Sequence, residues 1–332
     1  MALTILMLFY SRNKVLKSNG MNSTGTLVRE TFSNAFARNF ILIAVWLGMS
    51  YINFIMVATF FRNQIFYEDP RYILFIHMVI NDAVQLTVTV ILFVVSYISY
   101  TINVSVCCII VLVAVFTTRN TPISLAGMAI ERYIAICKPL RHTQICTVQR
   151  TYKLIGFIWV ICIVPDITDL FITLAIEHIS FFRSSVMCMR RNVFKDQVLL
   201  YKRQAFDALY FSLVFLTLVY TYLKVLFAAR AISTDNTSAQ KARNTILLHG
   251  VQLLMCMLSY ISPSFEVFLD IIFPGRVLEI RNATYIIVYI MPRFLGPIIY
   301  GVRDQKFFKY MKRHFTIVQC KSSKIVDRKE DN

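Results

Sequence analysis

The residues best placed to do chemistry are ionisable side chains within long apolar runs. Glu131 and Arg132 lie near the end of the apolar run at residues 103–136, where a helix would leave a membrane. Arg119 and Arg293 also interrupt apolar segments. Ionisable residues at membrane depth are costly and usually face a bundle interior or a water-filled cavity. These side chains therefore predict paired charges inside a helix bundle.

The sequence carries no pattern typical of catalysis or of a metal site. It has no Cys-x-x-Cys pair, His-rich tract, phosphate-binding loop or Ser/His/Asp spacing, and it contains five His. We therefore expect no enzyme activity, no cofactor and no metal ion.

Composition places the chain in the membrane class. Of its 332 residues, 57% are hydrophobic and only 16% are charged, with a mean hydropathy of +0.60. Soluble domains contain about 45–50% apolar residues. The net charge of +17 comes from basic residues in loops between apolar runs. That distribution favours anionic lipid headgroups over nucleic acid as the partner of the basic residues.

Seven apolar segments position the ionisable residues. Each can supply the roughly 20 residues that a helix needs to cross a bilayer, and none has the alternating pattern of a barrel strand. We predict an all-α membrane protein with a seven-helix transmembrane bundle at residues 38–302. The segments lie at residues 38–61, 72–95, 104–134, 153–175, 201–228, 243–273 and 283–302.

The two ends of the chain are assigned to opposite sides of the membrane. Residues 1–37 are predicted to form an extracellular tail, since the excess of Lys and Arg in the opposite loops is modest but in that direction. The glycosylation sequons at Asn22, Asn103 and Asn282 then all fall outside. We accordingly expect a multi-pass protein of the plasma membrane.

Residues 303–332 are predicted to form a short eighth helix and a cytoplasmic tail. In residues 304–314, Phe307, Phe308 and Met311 can share one face flanked by basic residues, as in an interfacial helix. A soluble basic tail is the alternative. Cys320, beyond this stretch, is either a palmitoylation site or a free thiol.

Residues 128–141 carry a recognisable motif. They read MAIERYIAICKPLR, which resembles the signature Met-Ala-x-Asp-Arg-Tyr-x-Ala-Ile-Cys-x-Pro-Leu of vertebrate odorant receptors, with Glu131 in place of Asp. Those proteins are rhodopsin-like G-protein-coupled receptors. The resemblance is greatest to fish odorant receptors of the 131-like group. It extends to Asn53, Asp82, Trp159, the Lys241-Ala242 pair with Thr245 and His249, and residues 296–300, GPIIY, in which Asn of the family motif is lost.

The resemblance implies roles for these positions. Arg132 would pair with Glu131 at rest and turn towards a G-protein when the inner mouth opens. Pro297 permits a helix kink, so that Tyr300 could move towards Tyr222 of the fifth helix. Tyr133 and His249 complete the set of residues expected in coupling and activation.

The family likeness also implies a disulfide between Cys107 and Cys188, which would fasten the second outer loop over the bundle. Cys108 is the rival partner. In this fold, Arg119 is expected to pair with Asp207, and Arg293 with Asp82. A guanidinium beside Asp82 would displace Na⁺ from it, so we expect no sodium site.

The ligand is expected in the outer half of the bundle. Aromatic and aliphatic walls with few polar groups suit a small organic molecule. The candidate lining residues come from the third, fifth and sixth helices: Val106, Ile110, Ala114, Phe206, Tyr210 and Tyr260.

The sequence thus predicts a receptor that binds a small odorant and activates a stimulatory heterotrimeric G-protein, raising cAMP. One alternative is a rhodopsin-like receptor for a non-odorant ligand. An amine is disfavoured, because no acidic residue lies at Ile110 or Val111, around where amine receptors keep the partner of their ammonium ligand. A transporter or channel is a more distant alternative, and it would predict inverted repeats that the sequence lacks.

Overall fold

The fold is a bundle of long helices joined by short connections. The computed structural model describes residues 32–98, 101–186, 188, 190–231 and 306–313, with single residues at 251, 254, 269 and 272. The elements are α1 (Phe32–Arg62), α2 (Pro70–Ile98), β1 (Ile102–Asn103), α3 (Val104–Cys137), α4 (Pro139–Ile145), α5 (Val148–Ile176), α6 (Ile179–Arg183), β2 (Ser185–Val186), α7 (Arg190–Val193) and α8 (Gln197–Ala231). A 3-10 turn at Gln64–Phe66 joins α1 to α2.

Five of these helices are long and apolar enough to cross a membrane, within the part of the chain that the structure describes. They are α1, α2, α3, α5 and α8, and each slightly exceeds the predicted first five segments. The predicted sixth and seventh segments lie mostly or wholly outside the described residues. Helices form here because hydrocarbon offers no hydrogen-bond partner to a peptide group, so each group must be satisfied within its own segment.

Several threonine hydroxyls inside these helices are satisfied by their own helix. Thr59, Thr89 and Thr173 each donate a hydrogen bond to the carbonyl four residues earlier, at 2.7–2.8 Å. The start of α3 is capped by Asn103, whose side chain accepts a hydrogen bond from the backbone N–H of Ser105. These bonds remove the cost of leaving a hydroxyl or amide unpaired in an apolar medium.

Helix α3 lies at the centre of the described bundle and packs against α2, α5 and α8. By contrast, the outer faces of α5 and α8 keep large apolar side chains exposed, among them Phe171, Leu209 and Leu213. An apolar exterior is the surface expected of a protein whose solvent is lipid.

One core cluster lies at the end of the bundle near the 3-10 turn. Phe66 is fully buried there and its ring lies 5.1 Å from that of Phe307, within a helical stretch at residues 306–313. Tyr72 and Phe75 of α2 also contact Phe307. The stretch for which the sequence predicts an eighth helix is therefore fastened to the first connection and to α2 by aromatic packing.

The opposite end of α3 is covered by the loop between α5 and α8. Strands β1 and β2 pair antiparallel, with Ile102 opposite Val186 and Asn103 opposite Ser185. Cys107 of α3 is bonded to Cys188 of the loop, whereas Cys108 is a free, buried thiol. The bonded pair is the one that the family resemblance implies, and its rival is not used.

We predict that Cys107→Ser or Cys188→Ser alone reduces surface display, and that the double variant is no worse than either single variant. The bond closes a separation of 81 residues, for which a loss of about 4 kcal/mol of unfolding free energy is expected. Flow cytometry of an epitope-tagged chain measures the display. Cys108→Ala is the control and should have a smaller effect, while additive damage in the double variant would contradict the pairing.

Candidate functional site: a buried charge cluster and the inner mouth

Arg119 is a deeply buried charge of the described bundle. It lies in the middle of α3 and is only 3% exposed. Its guanidinium donates to Oδ1 of Asp207 from Nε at 3.1 Å and Nη2 at 2.9 Å, and from Nη1 to Oδ1 of Asp166 at 2.9 Å. Asp207 is the partner expected from the sequence. Asp166 of α5 is a second partner that the sequence reasoning missed.

Asp166 and Asp169 extend this contact into the loop between α5 and α8. Arg190, at the start of α7, donates from Nη2 to Oδ1 of Asp166 at 3.3 Å and to Oδ2 of Asp169 at 2.6 Å. Lys202 of α8 donates to Oδ1 of Asp169 at 2.7 Å. Both carboxylates are almost completely buried, so each depends on its cationic partners to offset the cost of desolvation.

The seven side chains form one chain of alternating charge, which we name the outer charge cluster after the membrane orientation predicted from the sequence. Its order is Arg203, Asp207, Arg119, Asp166, Arg190, Asp169 and Lys202, each in contact with the next. The two ends, Lys202 and Arg203, are adjacent residues of α8. The cluster therefore connects α3, α5, α7 and α8 through charge-assisted hydrogen bonds, which are stronger than neutral ones.

Aromatic side chains surround the cluster. The Phe206 ring lies 5.2 Å below the Arg119 guanidinium, and the Phe194 ring lies 5.5 Å from that of Arg190. The Tyr210 hydroxyl donates to the carbonyl oxygen of Arg119. Guanidinium groups stack favourably on aromatic faces, so the cluster combines charge with an apolar wall.

Several expected pocket residues lie at or near this site. Phe206 and Tyr210 are stacked nearly parallel, with ring centroids 6.4 Å apart. Ala114 is buried, and Ile110 packs beside it together with Cys188. Val106, by contrast, is 52% exposed. Tyr260 lies outside the described residues.

A signal for the missed residues is present in the sequence. Asp166 and Asp169 are three residues apart within the apolar segment at residues 153–175, so they share one helix face. Two carboxylates on one face of a membrane helix require cationic partners. Lys202 and Arg203, at the start of the next segment, are the nearest candidates along the chain.

The other end of α3 carries Glu131 and Arg132. Glu131 is buried, and its Oε1 lies 3.1 Å from Nε2 of His142 on α4. Its Oε2 lies 3.7 Å from Nε of Arg132. Glu131 therefore has the expected partner, Arg132, and a second partner, His142, that the sequence did not predict. Helix α4, begun by Pro139, brings that histidine back against α3.

A second charged pair lies at the start of α2. Arg71 donates from both its backbone N–H and its side chain to Asp69. Burial raises the pKa of Asp69, but the hydrogen bonds and positive charge of Arg71 lower it by more, and the charge of Arg132 acts in the same direction. Asp69 therefore remains ionised at neutral pH near Arg132. We name the region formed by Asp69, Arg71, Glu131, Arg132 and His142 the inner mouth, after the membrane orientation predicted from the sequence.

The remaining predicted residues are distributed as follows. Tyr133 packs edge-on against Tyr220 at 6.0 Å, and Tyr222 on α8 is 39% exposed. Asp82 is buried and accepts a hydrogen bond from Oγ1 of Thr121 at 2.9 Å. Asn103 is exposed at the start of α3. The predicted residues that lie outside the described part of the chain are Asn22, His249, Asn282, Arg293, Pro297, Tyr300 and Cys320.

Long apolar helices, interior-facing charges and a disulfide-fastened loop over one end are the features of a polytopic membrane protein. Residues 52–300 match the family described as 7 transmembrane receptor (rhodopsin family). The chain belongs to that family, which confirms the predicted seven-helix bundle. Membership implies a multi-pass plasma-membrane protein with a small-molecule ligand and a G-protein partner, and it excludes the transporter alternative.

Similarities to individual receptors show which members of the family this chain resembles. The chain is 29% identical over 315 residues to Odorant receptor 131-2 of Danio rerio, covering 93% of this chain and 97% of that one. It is 24% identical over 220 residues to Olfactory receptor 13J1 of Homo sapiens, covering 62% and 66% of the two chains. A shorter match of 117 residues, at 30% identity, joins it to G-protein coupled receptor 26 of Mus musculus, covering 35% and 34%. The resemblance to fish odorant receptors of the 131-like group is thereby confirmed.

We predict that Asp166→Asn sharply lowers folded yield, because it leaves Arg119 and Arg190 with less compensating charge. Removing one partner of a buried ion pair typically costs about 3–5 kcal/mol. Surface display and the thermal unfolding midpoint of purified protein measure the loss. Adding Arg190→Gln to Asp166→Asn should recover part of it.

The matched control for that experiment is Glu177→Gln, which removes one negative charge at the end of α5. Glu177 makes no ion pair with any residue that the structure describes. Equal yields for the Asp166 and Glu177 variants would contradict a structural role for the cluster.

Proposed function

We propose that this chain is an odorant receptor that binds a small organic molecule in the outer half of its bundle and activates a stimulatory, olfactory-type G-protein, raising cAMP. The observation that carries the proposal is the similarity to an odorant receptor over nearly the full length of both chains. A receptor for a non-odorant ligand is the second candidate, favoured by the local similarity to G-protein coupled receptor 26.

The disulfide supports an orientation with the amino terminus outside. Disulfides persist in oxidising surroundings such as the cell exterior. The Cys107–Cys188 bond lies at the start of α3, whereas Arg132 lies near its end. The outer charge cluster then faces the extracellular half, and the inner mouth faces the cytoplasm and the G-protein.

The inner mouth supplies a contact that activation can break. Glu131 contacts Arg132 within α3 and His142 of α4, and the contact with His142 ties α3 to α4. An outer ligand favours the open state only if it binds that state more tightly than the closed one. Opening would free the Arg132 guanidinium for the G-protein, and Glu131 would keep His142 as its partner.

We predict that Arg132→Ala abolishes agonist-driven cAMP while surface display stays normal, because a fixed cation at the inner mouth is lost. A panel of water-soluble odorants applied to cells with a cAMP reporter first identifies an agonist, and the variant is then compared at that agonist. Arg183→Ala, which removes an arginine from the outer loop, is the control and should signal normally. Unchanged signalling by a well-displayed Arg132→Ala would refute the coupling role.

A further inference from the structure

The outer charge cluster has an excess of positive charge among the described residues. Four cations, Arg119, Arg190, Lys202 and Arg203, face three carboxylates, Asp166, Asp169 and Asp207. A buried charge without a full complement of partners is unfavourable, and it attracts a group of opposite sign.

The hydrogen-bond donors of the cluster are not equally used. All three guanidinium nitrogens of Arg119 donate within the cluster. Lys202 donates to three oxygens, those of Asp169, Thr168 and Pro165. Every side-chain nitrogen of these two cations therefore makes at least one hydrogen bond.

Arg190 and Arg203 are different. Arg190 is only 6% exposed, yet its Nη1 is buried with no hydrogen-bond partner among the described residues. Arg203 makes one long bond, from Nε to Oδ2 of Asp207 at 3.3 Å, and within the described chain its two terminal nitrogens have no hydrogen bond. Its side chain is 18% exposed, so these nitrogens are not sealed off. Together the two arginines present three nitrogens that have no hydrogen-bond acceptor among the residues that the structure describes.

The surroundings suit a ligand with an apolar body. Phe194 lies against Arg190, and Phe206 lies against Arg119. Arg190 follows Cys188 by two residues, so the disulfide fixes the loop that presents this guanidinium over the bundle. Planar guanidinium groups match the geometry of a carboxylate, and an apolar setting strengthens that contact.

We propose that the ligand of this receptor is a small organic carboxylate, whose acidic group binds Nη1 of Arg190 and the terminal nitrogens of Arg203 while its apolar part contacts the aromatic wall. This inference rests on the proposed function, because it assigns a chemical class to the ligand of that same outer site. It extends the expected aliphatic and aromatic pocket with a cationic recognition element.

One atom of the cluster favours another chemistry. Oδ2 of Asp166 is buried without a hydrogen-bond partner in the described residues, and it could accept from the hydroxyl of a neutral alcohol. The charge excess and the three unused nitrogens favour the carboxylate over the alcohol. The experiment therefore compares acid, amide and alcohol directly.

Binding is measured on the full chain in nanodiscs of phosphatidylcholine at neutral pH, without a G-protein. The probes are hexanoate, benzoate and phenylacetate, each with its amide and its primary alcohol, and the readout is the ligand-dependent rise in the thermal unfolding midpoint. At least one acid should bind saturably, and roughly tenfold or more tightly than its amide and alcohol, because hydrogen bonds to charged groups are the stronger ones. No binding by any acid, or equal binding of acid and alcohol, overturns the proposal.

Arg203→Gln tests the site itself, and it is chosen because Arg203 makes a single hydrogen bond to the described residues, at 3.3 Å, so that its loss should spare the fold. The variant should weaken acid binding roughly tenfold or more, with Arg203→Lys in between. Arg183→Gln makes the same charge change outside the cluster and should bind like the parent. Equal acid affinities in the Arg203→Gln and Arg183→Gln variants overturn the proposal. A second contrary result is a gain in stability when phosphatidylserine is added to the nanodisc, if only Arg203→Gln abolishes that gain. The anion bound at the site would then be a lipid headgroup.

The two proposals fail in distinguishable ways. Acid binding without any cAMP response in cells would refute the proposed G-protein coupling and leave the carboxylate site standing. A cAMP response to neutral odorants alone, with no acid bound in nanodiscs, would refute the carboxylate site and leave the proposed G-protein coupling standing.

Discussion

The constraint on which the described bundle depends is the burial of the Arg119 guanidinium in the middle of α3. An arginine at the centre of a membrane costs at least about 2.5–3.5 kcal/mol when it faces lipid. The structure offsets this cost with Asp166 and Asp207, which come from two different helices. The position of α3 relative to α5 and α8 is therefore specified by charge as well as by apolar packing, which in lipid lacks the hydrophobic driving force available in water.

The same cluster connects the bundle to its outer loop. Arg190 reaches from the loop to Asp166 and Asp169, and the disulfide at Cys188 holds the chain two residues away. Covalent and ionic contacts thus fix one short segment from both sides. A loop held in this way presents its polar groups in a defined geometry, which lowers the ordering cost of binding a small molecule.

Helix α3 joins the two functional ends of the molecule. It carries Cys107 near its first residue, Arg119 in its middle, and Glu131 and Arg132 near its last residue. With 1.5 Å of rise per residue, the 13 residues between the two arginines span about 20 Å. A displacement of α3 produced at the outer charge cluster would therefore reach the contact of Glu131 with His142 through one continuous element.

Hydropathy and motif alone determined much of this protein. The first five spanning helices, the Glu131–Arg132 pair and the partnership of Arg119 with Asp207 could all be predicted, because apolar length is a local property and a family likeness supplies which helices are neighbours. Asp166, Arg190 and His142 were found only in the structure. Their partners lie 47, 24 and 11 residues away in the chain, and such contacts depend on how helices rotate against each other and how a loop folds back. Sequence thus determined which segments are helices and which charges need partners. Tertiary packing decided which partners they have, because a buried charge pairs with the oppositely charged groups that the fold brings close to it.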